Sequence, residues 1–461
     1  MSAAAPGDRG PGTASKPAMN GESTAPSECG VREGVVTGLE VLDWKYRQLP
    51  APIAGLYRVM GRCPARWLDR NALAAILGCS NTEAHSAAQY LLAKHLVLAV
   101  DYASGDGEPV VDGPRIALGA RRSLHAASLC AETEDAAGLE RWIAYMLGTA
   151  AVIGRRADPD RLAPQRHWQA PDVTVVPFDE CGYTPGAWLR DQRPNFVALV
   201  RWASEVGRWE LAYTLVAVWW PLFAWHRPAE SVEVVELALS AARAVDDVYG
   251  QAHMMLQLAG LVREADPARA ARPSRKAEGL AEREGEPRLV AQALCEQGWG
   301  ALSAEYVQAA GDLFVSAETV FEQHGDARGQ GRALHGLARV QAAHGHGMRA
   351  AAGLLEARAM LTGAGETFET QLIAIEVGAM LAAIGDVDRA LAEIGLAADA
   401  LTSANQDYGL LLAVRQRATL LEAAGRGSQA ADEIARIEHL RRTIDPPIPD
   451  IFPSRSEAAG E

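Results

Sequence analysis

From residue 285 onward the apolar and small positions of the chain repeat every forty residues without a gap. Four stretches share the register: GEPRLVAQALCEQGWGALSAEYVQAAGDLFVSAETVFEQH from Gly285, GDARGQGRALHGLARVQAAHGHGMRAAAGLLEARAMLTGA from Gly325, GETFETQLIAIEVGAMLAAIGDVDRALAEIGLAADALTSA from Gly365 and NQDYGLLLAVRQRATLLEAAGRGSQAADEIARIEHLRRTI from Asn405. Small residues fall in phase at Gly298, Ala338, Gly378 and Ala418, and again at Ala310, Ala350, Ala390 and Ala430. Bulky residues follow at Phe314, Leu354, Ile394 and Ile434, with Gly345, Gly385 and Gly425 midway along their units. The pattern predicts two amphipathic helices per unit, one turn between them and one after. Glycine, or asparagine at 405, supplies the left-handed residue that ends a helix. In-phase small residues let two helices approach, and the bulky ones fill the seam. One hairpin cannot bury its own face, so the units must stack.

The glycine-rich run HGDARGQGRALHG at 324–336 is then a repeat boundary, with Gly325 as cap and a new helix from Ala327. A phosphate loop would need GxxxxGK[ST] after a strand. The chain has four lysines, at 16, 45, 94 and 276, and none stands in that pattern. No nucleotide binding is expected of it.

A weaker unit, 247–284, keeps Ala270 and Ala277 in phase, so the array is predicted to span 247–442 as about five forty-residue repeats. Upstream, 123–246 is a helical linker with the first hairpins, its later part reading as helices at 194–207, 209–225 and 229–245. Six of the eleven tryptophans lie between 188 and 225, which reads as packing that seats the first repeat rather than a cofactor box. Residues 35–122 read as three helices and two strands. A helix starts at Asn81-Thr82-Glu83 after Gly78, and a GDGEP turn stands at 105–109 between β-rich segments. That order predicts a winged-helix-like domain. The segments 1–34 and 443–461, rich in Pro, Gly, Ser and Ala, are predicted to be disordered. The fold class expected is mainly α, an N-terminal winged-helix-like domain followed by an α-solenoid.

The small residue seven before each mid-unit glycine, the alanine five after it, and the bulky residue and alanine beyond resemble the tetratricopeptide repeat, here in a longer unit. VLDWKYRQLPAPIAGLYRVMG, LERWIAYMLGTAAVIGRRADPDRL at 139–162 and AWLRDQRPNFVALVRWASEVGRWELAYTLVAVWWPLF at 187–223 are similar to the segment that follows the nucleotide-binding domain in STAND-type antibiotic-pathway regulators. With the repeats, the resemblance covers about 39–442. The ATPase and DNA-binding domains of such regulators find no counterpart in these residues and are not expected of it. Where many relatives carry histidine and aspartate at the wing, this chain has Ala117-Leu118-Gly119. The resemblance implies a sensor and scaffold half, or a component working with a separate ATPase.

Charge and candidate chemistry narrow the picture. A net charge of −14 over 461 residues argues against broad nucleic-acid or anionic-membrane binding. Residues 35–122 hold ten basic and eight acidic side chains, and the expected recognition helix NTEAHSAAQYLLAKH has one lysine, one glutamate and no arginine. Phosphate neutralisation needs several cations on one face, so the domain reads as a packing module and nucleic acid is not an expected partner. The longest uncharged apolar run, LAYTLVAVWWPLFAW at 211–225, is too short to span a bilayer. No secretory h-region opens the sequence, and the cysteines at 29, 63, 79, 130, 181 and 295 have no metal-type spacing, so a cytoplasmic protein with reduced thiols is expected. HGHG at 344–347 flanks a mid-unit turn and reads as exposed histidines. Catalytic residues, cofactor and metal are all expected to be none.

Three classes of function stay open: a protein- or peptide-binding solenoid acting in regulation, a DNA-binding regulator using the winged helix, and an enzyme or assembly factor of a biosynthetic pathway. For the first, the tetratricopeptide resemblance places the inner positions of the groove on the first helix of each unit. These are Gln292, Cys295 and Trp299; Arg332, His335 and Arg339; Leu372 and Ile375; then Arg415 and Glu422. Arg332, His335 and Arg339 share one helical stripe, with Trp299 facing them from the preceding unit. An aromatic plate beside guanidinium forks suits an extended peptide with an acidic side chain or a free C-terminus. The lysine/asparagine clamp of chaperone-binding relatives is lacking, so a chaperone tail is not the expected ligand.

Overall fold

The computed structural model describes residues 38–100, 115–129, 134–159, 161, 169–181, 183–263 and 265–444. The expected disordered segment 1–34, the turn at 105–109 and the tail past Ile444 lie outside the described residues.

The N-terminal body comprises α1 (Gly38–Tyr46), α2 (Ala51–Arg62), α3 (Arg70–Leu77), α4 (Asn81–Ala93), β1 (Leu98–Val100), β2 (Arg115–Ala117) and α5 (Ala120–Ser128). β1 and β2 pair antiparallel with Ala99 opposite Ile116, and Ile116 also bridges Leu68. Local chemistry sets these boundaries. The Asp69 side chain accepts from Ala72 N to start α3, and Gly78, at φ +66°, ends it. Ser80 and Glu83 form a reciprocal capping box at α4, which satisfies two otherwise orphaned amides.

Next come α6 (Glu134–Ala157), α7 (Phe178–Cys181), α8 (Pro185–Glu205), α9 (Trp209–Val218), α10 (Trp220–Trp225) and α11 (Ser231–Ala244). The helix read from Pro194 starts nine residues earlier and carries Pro194 in its interior. The run read as one helix over 209–225 breaks at Trp219, because Pro221 has no N–H to continue the ladder. Trp142, Trp188 and Trp219 are fully buried, and Phe196 stacks on Trp219 at 4.5 Å between ring centres. A polar seam ties α8 to the N-terminal body. Asn195 spans the backbone of Arg66 and Trp67, Gln192 donates to Asp69, and Asp191 pairs with Arg115 at 2.9 Å. Buried polar groups must find such partners, so this seam fixes one orientation.

The array then runs as hairpins: α12 (Val248–Val262) with α13 (Pro267–Glu284), α14 (Pro287–Ser303) with α15 (Val307–Gln323), α16 (Ala327–Ala343) with α17 (Gly347–Gly363), α18 (Phe368–Ala383) with α19 (Val387–Ser403), and α20 (Asp407–Ala423) with α21 (Gly427–Ile444). Left-handed residues stand at 285, 325, 365 and 405, where the register placed the unit boundaries. Two glycines, the in-phase Gly298 and Gly336 of the next unit, are contact points. A Cβ on Gly336 would lie 2.3 Å from the Phe314 ring, and one on Gly298 would lie 2.9 Å from it. Gly336→Ala is therefore expected to overpack this seam and cost about 1–3 kcal/mol. A urea midpoint equal to that of the parent chain would refute it.

The array closes on the tryptophan-rich body. Gly186 of α8 meets the turn before α20 so closely that a Cβ there would lie 2.4 Å from the carbonyl oxygens of Ala404 and Asn405. Asn405 donates to Thr184 at 2.9 Å, and Asp407 lies between His226 and Arg190. Farther along, Arg328 of α16 donates to the Ala157 carbonyl at 2.8 Å, where α6 ends. The inner face is thus not the open groove that the repeat pattern suggested; residues of the same chain fill much of it. Among the described residues no helix is long and apolar enough to cross a membrane.

Candidate functional site

Between the inner face of the array and its own filling lies a cavity of about 270 Å³. One wall comes from α12, α14, α16 and the start of α18; the other comes from α10 with Asp158 and Arg161 just past α6. Gln292, Cys295 and Trp299 line it from α14, and Arg332 and His335 from α16. Trp299 lies edge-on to His335 at 5.1 Å between ring centres, which sets the aromatic plate beside the stripe. Arg339, the third member of that stripe, is half exposed outside the cavity and pairs with Glu376 at 3.1 Å. Arg415 and Glu422 are exposed on α20, away from the lining residues. Ile375 is buried and Leu372 packs against the core, so these two support the wall.

The cations of the cavity are largely matched by internal carboxylates. Arg263 pairs with Glu296 at 2.7 Å, Arg288 with Asp326 at 2.8 Å, and Arg332 with Glu369 at 2.7 Å. Arg328 is 3 % exposed and bridges Asp158 and Glu366, donating also to the Ala364 carbonyl. Burial raises the Glu366 carboxyl, and Glu369 adds to the rise, while Arg332 and Arg328 oppose it. Burial works against the charge of Arg332, but Glu369, Glu366 and Asp158 outweigh it and hold its pKa up. Burial, with Glu296, pushes the Cys295 thiol far above its ordinary range, so it is no activated nucleophile. Among the described residues no cluster of His, Cys, Asp or Glu is arranged to hold a metal ion.

Most polar residues of the lining were not singled out in the sequence, among them Arg161, His253 and Gln257. The guanidinium of Arg161 lies 4.4 Å above the Trp220 ring. Nε2 of His253 and Nε2 of Gln257 are buried without a hydrogen-bond partner among the described residues. His253 was within reach of the register. Aligned on their first residues, Val248 and Pro287, α12 and α14 put His253 at the place of Gln292. Arg161 carried no signal, since it stands outside the repeats and reaches the cavity only through the closure of the chain.

No protein-family model matches the chain, and no curated protein matches it. Solved structures do resemble it. One is a signal transduction ATPase with numerous domains and a tetratricopeptide repeat sensor from Pyrococcus horikoshii, 12% identical with a TM-score of 0.42, the match covering 89% of this chain and 59% of that one. Another is the apo form of RapI, 16% identical with a TM-score of 0.44 over 56% of this chain and 92% of that one. A Rap protein complexed with competence and sporulation factor is 10% identical with a TM-score of 0.40, covering 56% of this chain and 87% of that one.

Proposed function

We propose that the protein is a regulatory scaffold of tetratricopeptide-like hairpins that binds a protein or peptide partner at the inner cavity and performs no chemistry of its own. The observation that carries this reading is the convergence of Gln292, Trp299, Arg332 and His335, from the first helices of successive hairpins, on one cavity. An aromatic face beside rigid donors is the surface that peptide recognition reuses. A second support is the protonated state of Cys295, which leaves the cavity wall without an activated thiol.

The N-terminal body serves in this reading as a winged-helix packing module. Its element order supports that: α2, the Leu68 bridge, α3, α4, then the β1–β2 pair. The exposed positions of α4 include Thr82, Ser86 and Gln89, with no arginine on the helix. Such a face offers little to a phosphate backbone. Regulation as the role rests on the resemblance of 39–442 to the sensor half of STAND-type regulators.

Affinity capture on the full chain, followed by mass spectrometry, tests the reading. With a captured partner in hand, Gln292→Ala combined with Arg332→Lys is expected to weaken it by about 1–3 kcal/mol, the scale for lost hydrogen bonds to a charged group. Lysine keeps the charge that faces Glu369 and Glu366 while losing the planar fork, so Tm should hardly move. Unaltered capture by that double variant would move the site off the cavity.

A further inference from the structure

We propose that the cavity floor formed by Arg161, His253 and Gln257 is an anchor for a single carboxylate of the ligand. The proposal rests on the cavity being the binding site, and it assigns the chemistry of what is bound there.

The argument begins from unmet polar capacity. Six arginines line the cavity against four carboxylates, in a chain whose net charge is −14. Arg263, Arg288, Arg328 and Arg332 each have an acidic partner within ion-pair distance. Arg227 stacks on Tyr408 at 4.1 Å. Arg161 is different: it rests on Trp220, and no described residue accepts a hydrogen bond from its guanidinium. A guanidinium held over an indole by its cationic charge keeps its N–H fork for an acceptor, and that fork suits a bidentate carboxylate. Beside it, His253 is 92 % buried, and its Nε2 has no hydrogen-bond partner among the described residues. The Gln257 amide nitrogen, one helical turn on, is likewise unmatched. Buried donors left unpaired cost stability, and so they mark where a ligand would be repaid in full hydrogen bonds.

Charge selects the ligand class. Burial, helped by Arg161, lowers the His253 pKa to about 3, so the ring is neutral and offers no second positive charge. Burial also lowers Arg161 to about 10, with Arg332 and Arg328 adding to the drop against Asp158 and Glu366. At the floor itself Arg161 is the one cation beside a neutral imidazole and a neutral amide, and one charge there matches one negative charge. A phosphate dianion would leave a charge uncompensated, at high desolvation cost. A carboxylate takes the fork of Arg161 on one edge and can accept from Gln257 and His253 as well. Phe223, Ala224 and Leu256 then receive the carbon chain that bears it.

A carboxylate of this kind can come from a peptide C-terminus or from a free small acid, and the experiment separates them. The full chain is titrated with N-acetyl-trialanine, with the same peptide as its C-terminal amide, and with succinate, following tryptophan fluorescence and heat. The acid peptide is expected to bind at least tenfold more tightly than the amide, and Arg161→Met should erase that difference. Because no described residue accepts a hydrogen bond from the Arg161 side chain, Arg161→Met should fold; Gln257→Leu, with a several-fold loss, is the second variant. Binding of succinate but not of the peptide acid supports the anchor with a free acid as its source. Equal binding of acid and amide, or no binding of any of the three, overturns it. A partner captured through Gln292 and Arg332 but indifferent to Arg161→Met would also overturn the anchor while leaving the scaffold standing.

Discussion

Arg328→Ala is expected to destabilise the chain by about 3–5 kcal/mol, the scale for removing one partner of a buried ion network. The side chain stands between Asp158 and Glu366, which are each 4 % exposed. Its other donors go to the carbonyls of Ala157 and Ala364, so a single residue fastens the end of α6 into the array. Without it, two buried carboxylates face each other. The deficit should depend on pH with a definite sign. Burial already raises the Glu366 pKa above its unfolded value, and loss of Arg328 raises it further. The folded state then binds a proton more tightly than the unfolded chain, so stability rises as pH falls toward the unfolded value near ~4.3. Urea titrations at pH 7 and at pH 5 should show the variant's deficit shrinking at the lower pH. Asp158→Asn in the Arg328→Ala background should recover part of it at pH 7. An equal deficit at both values, unrelieved by Asp158→Asn, would show that the network contributes little.

How far the sequence discloses this molecule follows from which constraints are local. Helix ends need left-handed residues and close seams need small ones, so Gly325, Gly365, Gly298 and Gly378 announce the hairpins. The same constraint is met silently where Glu305 and Asp246 take positive φ, at 63° and 55°, because a side chain can occupy that region at some cost. Gln292, Trp299, Arg332 and His335 reach one cavity because register fixes the face of a helix. What the register does not reveal is what faces them. Thr184 and Asn405 meet across 221 residues, and the contact depends on Gly186 having no side chain, which no periodicity encodes. The closure in turn decides the chemistry: it supplies Asp158, next to Glu366, as a second acid on Arg328, and it carries Arg161 to the floor. Read as a free stripe, Arg332 and Arg339 are both cations for the ligand; in the folded chain Glu376 holds Arg339 outside the cavity, while Arg332 stays in the lining paired with Glu369.

Asp407→Ala is expected to open that closure at neutral pH. Asp407 is the first residue of α20, 6 % exposed, where the helix N-terminus favours a negative charge. Its carboxylate lies 2.8 Å from Nδ1 of His226 and 3.4 Å from Arg190. Nε2 of the same histidine faces the Gly186 carbonyl at 3.0 Å. Both ring nitrogens therefore face acceptors, and both contacts are hydrogen bonds only when both nitrogens carry hydrogen. Burial works to raise the Asp407 pKa, but His226 and Arg190 outweigh it and hold it below the ordinary carboxylate value. A carboxyl with a depressed folded pKa contributes stability that is present above its unfolded value near ~3.9 and is lost as pH falls through the folded value. In the parent chain the clasp should thus hold at neutral pH and loosen only in acid. Truncation to alanine takes the carboxylate away from the buried His226 and the half-buried Arg190, at about 3–5 kcal/mol, whereas Asp407→Asn keeps one acceptor and should cost less. Because the clasp joins α20 to α8 and α10, the effect should be local. Amide exchange should quicken in 405–423 and 185–190, while α2 to α4 keep their protection. Unchanged exchange at 405–423 in Asp407→Ala would mean that Gly186 packing and the Thr184–Asn405 bond close the array without the buried charge.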